Sequence, residues 1–268
     1  MKLQMDLRRA LAEGQFFVEY QPVVSLGECR VVGFEALVRW KHPERGVLLP
    51  AEFIAEAENI GVIIAIDHWV LQEACRQIRE WQQQYDNPDL TVSVNVSGKQ
   101  FAHDRFVPAI REALELNGLA GSSIKVELTE TVLMEQVETT AATIARLGEL
   151  GVELYIDDFG TGYSSLSYLT RFPLKLLKVD RSFVMQSPPG SRSAVIANTV
   201  VTLAHNLGLA ALAEGIETEQ QLRQLRDIGC DFGQGFLFSK ALPPHSAREL
   251  IGTVLPVAGA EREAEVAT

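Results

Sequence analysis

Apolar runs rich in β-branched residues alternate with amphipathic stretches along most of the chain. Strand-like runs fall at residues 16–24, 31–40, 90–96, 124–128, 152–156, 176–179 and 210–213, with a weaker one around 231–238. Between them, apolar positions recur at helical spacing over 66–84, 106–117, 135–150, 192–207 and 218–228. Gly118, Gly151, Gly208 and Gly229 follow four of these stretches at the position where a left-handed residue closes a helix. Eight strands alternating with helices predict an α/β fold, a (β/α)8 TIM-like barrel. The start breaks the alternation, because residues 25–30 are too few for a parallel crossover, which needs a dozen or more. The first two strands are therefore predicted to form a hairpin, leaving the first strand antiparallel to the others.

No repeat, low-complexity linker or mid-chain shift in composition divides the 268 residues, and α/β barrels of about 250 residues fold as one domain. The expectation is one barrel domain over residues 1–255, followed by a small, acidic tail, 256–268, that frays. A 47% hydrophobic and 22% charged composition supplies a full core and argues against disorder. The net charge of −11 argues against duplex nucleic acid or an anionic membrane as partner. It leaves room for a small anionic ligand, provided that the site carries metal ions. Cys29, Cys75 and Cys230 have no metal-ligand spacing and read as buried thiols of a reducing compartment. With no apolar run of about 18 residues and no signal-peptide core at the N-terminus, a cytoplasmic location is expected, alone or as the catalytic part of a longer signalling protein.

The polar residues that interrupt the strand ends carry the chemistry. They are Glu35, Asn95, Glu127, the pair Asp157 and Asp158, Lys178 and Glu214. In a barrel these ends converge on the C-terminal face, where active sites of this architecture lie. Taken singly, each has an ordinary reading: a carboxylate as cap or ion-pair partner, Lys178 as the neutraliser of a nearby acid, Asn95 as a turn residue. Six segments each placing such a residue at the same end of one sheet weaken those readings together. A ring of carboxylates is costly unless something positive sits within it. Hard oxygen donors without clustered His or Cys favour Mg2+ or Mn2+ over zinc. Five acids and one amide suffice for two ions sharing a carboxylate, the usual arrangement for in-line attack on a phosphodiester. The glycine-bearing stretch from Phe159 to Ser164 lacks the Lys-Ser/Thr of a phosphate-binding loop and the third Gly of a dinucleotide fingerprint.

The same residues lie within motifs similar to those of a known family. Gly33-Phe34-Glu35-Ala36-Leu37-Val38-Arg39-Trp40 resembles the signature that names EAL domains. The likeness continues through Tyr20-Gln21-Pro22, Asn95-Val96-Ser97, Glu127-Leu128-Thr129-Glu130, the stretch from Asp157 to Ser165, Lys178-Val179-Asp180-Arg181-Ser182-Phe183, Ala213-Glu214-Gly215-Ile216-Glu217 and Gln234-Gly235-Phe236, covering about residues 7–250. The resemblance implies a barrel with an antiparallel first strand and hydrolysis of cyclic di-GMP to linear pGpG. It implies one metal on Glu35, Asn95, Glu127 and Asp157, and a second on Asp157, Asp158 and Glu214; calcium, larger and tolerant of geometries that do not align the attack, is expected to inhibit. Lys178 would orient the attacking water, Glu214 would also serve as base, and Glu130 would pin the segment after Asp158. Gln21, Leu37, Arg39, Glu217 and Gln234 would contact substrate. A homodimer through the segment 161–169 is also implied, its contacts linked to Asp158. Two positions depart from the family pattern: Lys175, usually acidic, and Phe236, more often Tyr. Neither is a metal-ligand position. The rival reading is a non-catalytic cyclic di-GMP receptor or an interaction module, and such degenerate members typically lack metal ligands that are all present here.

Overall fold

The predicted hairpin forms. Strand β1 (Phe16–Ser25) pairs antiparallel with β2 (Val31–His42), in register from Phe16 opposite Trp40 to Pro22 opposite Phe34. Burial alternates along β1 residue by residue, because successive side chains point to opposite faces of the sheet. One face packs outward: Tyr20 and Phe34 lie against Trp81, with ring centroids 4.9 and 4.8 Å apart. The other face holds Gln21 opposite Glu35. The turn passes through Cys29 at φ 55°, so this cysteine is only partly buried while Cys75 and Cys230 are buried.

The structure is a computed structural model describing residues 2–134, 137–160, 169–185 and 191–255. A short strand β3 (Gly46–Leu48) folds back on β2. Then β4 (Thr91–Asn95), β5 (Ile124–Thr129), β6 (Glu153–Phe159), β7 (Leu174–Val179), β8 (Ala210–Ala213) and β9 (Phe232–Gly233) follow. From β2 through β4 to β9 each neighbour is parallel, and β1 closes the ring by pairing antiparallel with both β2 and β9. The result is a closed eight-stranded mixed barrel with β3 as an extra strand. Seven barrel strands run one way and β1 the other, as the short connection requires.

The helices cover the barrel with their apolar stripes. In the helix Ile63–Gln84 the buried positions Ile63, Ile66, Val70, Ala74, Ile78 and Trp81 recur every three or four residues. Gly118, Gly151, Gly208 and Gly229 all adopt φ between 60° and 78°, as their helix-closing positions demand. Ser191 caps the helix Arg192–Asn206, and Thr218 and Gln221 form a reciprocal capping box before Glu219–Asp227.

The structure extends or trims several sequence boundaries. The helix expected at 66–84 begins at Ile63, and the last strand, expected over 231–238, is reduced to Phe232–Gly233. An N-terminal helix, Lys2–Ala10, was not apparent in the sequence pattern. Trp40 is fully buried, donating from Nε1 to Gln15 Oε1 at 2.9 Å. Among the described residues no helix is long and apolar enough to cross a membrane. The tail 256–268 and residues 161–168 of the segment assigned to dimer contacts lie outside the described residues.

Candidate active site

Strand alternation places the first acid. Phe34 and Ala36 turn outward into the core between sheet and helices, so Glu35 turns into the barrel, only 5% exposed. There it accepts from Asn95 Nδ2 at 2.6 Å and from Gln234 Nε2 at 2.7 Å. With Nδ2 so engaged, Asn95 keeps its Oδ1 for a ligand. Gln234 also donates to Glu214 Oε1 at 3.0 Å, and its own Oε1 is buried without a partner. Backbone bonds lace the two strand ends that carry Glu214 and Gln234: Gln234 N to Ala213 O and Ile216 N to Gln234 O. The crossing is so close that a Cβ on Gly235 would lie 2.2 Å from the Ile216 backbone.

Asp157 and Asp158 are adjacent in sequence, which on a regular strand would send them to opposite faces. A bulge removes that conflict. Ile156 pairs with Leu177 and Phe159 with Val179, so two residues of β6 oppose the single residue Lys178. Asp158 takes φ 54°, a conformation rare for a side chain larger than glycine and frequent at functional sites. As a result Asp157, Asp158 and Glu214 each offer an oxygen to one group whose ligand atoms lie within 4.8 Å of one another.

Lys178 lies at the centre. Its side chain is fully buried, with Nζ 2.6 Å from Glu127, 2.7 Å from Glu214, 3.2 Å from Asp157 and 3.6 Å from Glu35. Burial works against its charge, but the four acids hold its pKa well above the usual lysine value. One ammonium cannot balance four carboxylates, and Glu127 and Glu214 show the excess. Burial and the Glu35 charge push Glu127 well above the carboxylate range. Burial also lifts Glu214 to about 7, against the pull of Lys178. Burial would raise Glu35 too, but Lys178 and the Gln234 and Asn95 donors outweigh it and keep its pKa low. Burial and the neighbouring charges of Asp157 and Asp180 raise Asp158. The cluster holds too little positive charge for its acids. An all-oxygen donor set with an uncompensated negative excess fits a hard divalent cation.

The sign of the pH dependence follows. Glu214 binds its proton more tightly here than in an unfolded chain, so its contribution to stability is full below about pH 4.5 and is lost as pH rises through about 7, and Glu127 acts in the same direction. A divalent cation reverses the loss by replacing the protons. The expected result is that magnesium raises the melting temperature more at pH 8 than at pH 6, with protons released on binding. A magnesium effect independent of pH would contradict this assignment.

The remaining residues divide. The acid group opens into a cleft of about 600 Å³ lined by Glu35, Asn95, Glu127, Asp157, Asp158 and Glu214 together with Gln21, Leu37, Gln234, Asp180 and Arg181. Arg39 and Glu217 are not among the lining residues. Arg39 is buried in an ion pair with Glu19 at 2.8 Å, and Glu217 is exposed before the capped helix. Glu130 opens the short helix Glu130–Met134 directly after β5, and the segment it was expected to pin is outside the described residues. Glu58, Asp67, Asp180 and Arg181 also line the cleft, and the sequence pattern assigns them no role. Asp67 accepts from Ser97 N at 3.1 Å and Ser97 Oγ at 2.6 Å, tying the helix Ile63–Gln84 to the turn after Asn95. Burial lifts its pKa to about 6 despite these bonds. Its signal was an acid set between Ile66 and Val70 on an otherwise apolar stripe.

Comparison with known proteins bears on this geometry. The sequence model of the family described as EAL domain matches residues 4–241. The chain is 44% identical over 251 residues to the cyclic di-GMP phosphodiesterase NbdA of Pseudomonas aeruginosa, covering 94% of this chain and 32% of that protein. It is 41% identical over 254 residues to the bifunctional diguanylate cyclase/cyclic di-GMP phosphodiesterase MucR of the same organism, covering 95% and 36%. The chain thus spans about a third of the length of these curated relatives. The solved structure of the PaMucR phosphodiesterase in complex with c-di-GMP superposes with a TM-score of 0.88 at 40% identity, over 92% of this chain and 100% of that one.

Proposed function

The chain belongs to the EAL domain family, and from that membership we propose that it hydrolyses cyclic di-GMP to linear pGpG with the help of divalent metal ions. The observation that carries the reading is that Glu35, Asn95, Glu127, Asp157, Asp158 and Glu214 line one cleft, four of these acids within 4 Å of Lys178 Nζ. The two relatives above, named as phosphodiesterases of this dinucleotide, support it.

In this reading Glu35, Asn95, Glu127 and Asp157 hold one ion, and Asp157, Asp158 and Glu214 hold a second, either Mg2+ or Mn2+. When bound, the ions supply positive charge to the phosphodiester oxygens and acidify water. The chain's own groups do the rest. Lys178 Nζ donates to the attacking water and holds it in line with the scissile bond. Glu214 takes the proton as the water oxygen bonds to phosphorus. The P–O3′ bond breaks, the 3′ oxygen leaves as a hydroxyl after gaining a proton, and a 5′-phosphate remains. Gln21, Leu37 and Gln234 line the substrate's path. Arg39 and Glu217 join them if binding draws them in, and Glu130 steadies the segment after Asp158.

Incubation with cyclic di-GMP and magnesium, with chromatographic separation of pGpG, tests the reading. Calcium in place of magnesium should permit binding and suppress turnover, because its longer oxygen distances, about 2.3–2.6 against about 2.0–2.1 Å, do not align the attack. Binding without turnover in magnesium and in manganese would make the protein a receptor. The same membership supports a two-fold homodimer through residues 161–169. Sedimentation and specific activity over one dilution series test it, and full activity in a monomer would refute the coupling.

A further inference from the structure

We propose that Arg181 is a substrate-recognition residue that binds a phosphate of the dinucleotide in the cleft, an assignment that rests on the phosphodiesterase reading above. Eight carboxylic acids line the cleft, and Arg181 is the one cation among the described lining residues. A substrate with two phosphodiester charges meets a strongly negative wall, and Lys178, buried among four of the acids, is not part of the lining. Among the described lining residues, Arg181 is the one source of attraction.

The arginine is rooted but its charge is free. It follows Asp180, whose side chain meets that of Asp158. On its other side it presses on the strand end that carries Glu214: a Cβ on Gly215, which adopts φ 68°, would come 2.7 Å from Arg181 Cβ. The backbone of Arg181 is therefore wedged between the segments of two acids of the metal-binding group. Its side chain is exposed and makes no ion pair or hydrogen bond among the described residues, despite the acids around it. A guanidinium held in place and left without an internal partner is available to an outside anion, and its planar fork matches phosphate oxygens two at a time. Arg181 is not one of the groups that meet at Lys178, so it is matched to the phosphate that does not react. Its contribution is then to binding rather than to the bond-breaking step.

Steady-state kinetics on Arg181→Ala, Arg181→Lys and Arg181→Glu with cyclic di-GMP and magnesium test this, together with calorimetric binding of the dinucleotide in calcium. Alanine should raise KM and the calcium Kd about tenfold, the equivalent of about 1.4 kcal/mol, with kcat within about twofold. Lysine should fall between wild type and alanine, and glutamate should be weaker than alanine. The rise of KM with salt should flatten in the alanine variant, since one screened attraction is gone. Wild-type KM and Kd in the alanine and glutamate variants would overturn the assignment, as would a fall in kcat at constant KM. If the wild type binds but does not turn over, the phosphodiesterase reading falls, while the Kd series still decides the role of Arg181. A wild type that neither binds nor hydrolyses overturns both.

Discussion

Glu35→Gln should abolish turnover while leaving the barrel folded, and Glu35→Ala should abolish it with an added loss of stability. Glu35 is the buried acid kept ionised by Lys178 and by two amide donors. In the proposed mechanism it is an anionic ligand that no neighbour can replace, because Gln234 and Asn95 are neutral and the other acids carry excess charge already. Loss of that ligand should lower the rate at least ~10³-fold, about 4 kcal/mol of barrier. Glutamine keeps the volume and one acceptor oxygen. Alanine removes the acceptor of Asn95 Nδ2 and leaves Gln234 Nε2 only its bond to Glu214 Oε1, and each hydrogen bond lost costs about 0.5–1.5 kcal/mol. Rates over a magnesium series, calorimetric magnesium binding and thermal melts read the three effects separately. A glutamine variant with wild-type kcat at saturating magnesium would remove Glu35 from the metal set.

What the sequence made legible is what strand periodicity controls. The alternation around Glu35, with Phe34 and Ala36 outward, and the equivalent patterns at Glu127 and Lys178 place polar side chains inside the barrel without any knowledge of the tertiary fold. The hairpin was equally readable, because the length of a connection limits what it can join. The geometry of Asp157 and Asp158 was not. Two adjacent acids fit a regular strand end as well as a bulge, and only the register between β6 and β7 distinguishes them.

Long-range pairing explains the rest. Arg39 shares the inward face with Glu35 and Leu37, and the sequence could not reveal that Glu19 on the neighbouring strand holds it in an ion pair. Asp67 sits on a helix and acts on a strand end 30 residues later, a contact that helical periodicity cannot announce. The N-terminal helix escaped because it buries only Leu7 and Ala10 and otherwise reads as polar. The last barrel strand is shorter than the sequence pattern implies because Ile216 N donates to Gln234 O and Leu237 N to Ile216 O in place of a continuing ladder.

Lys178→Met should destabilise the metal-free protein and remove turnover, and magnesium should restore only the first. The ammonium is the one cation within 4 Å of Glu35, Glu127, Asp157 and Glu214 among the described residues. Removing one partner of a buried charge cluster costs about 3–5 kcal/mol, or a melting temperature lower by roughly 10 °C for a chain of this size. Without the lysine the acids bind protons still more tightly than in the unfolded chain. The loss should therefore be small near pH 5 and full near pH 8, because stability held below the unfolded carboxylate pKa disappears as the acids are forced to ionise. Magnesium supplies the missing charge and should return the melting temperature towards the wild type. It cannot donate the hydrogen bond that aims the water, so kcat should stay depressed at least ~10²-fold while the calcium Kd for the dinucleotide changes little. Recovery of both stability and kcat in magnesium would reduce Lys178 to a counter-charge. A metal-free variant melting like the wild type at pH 8 would instead refute the compensation itself.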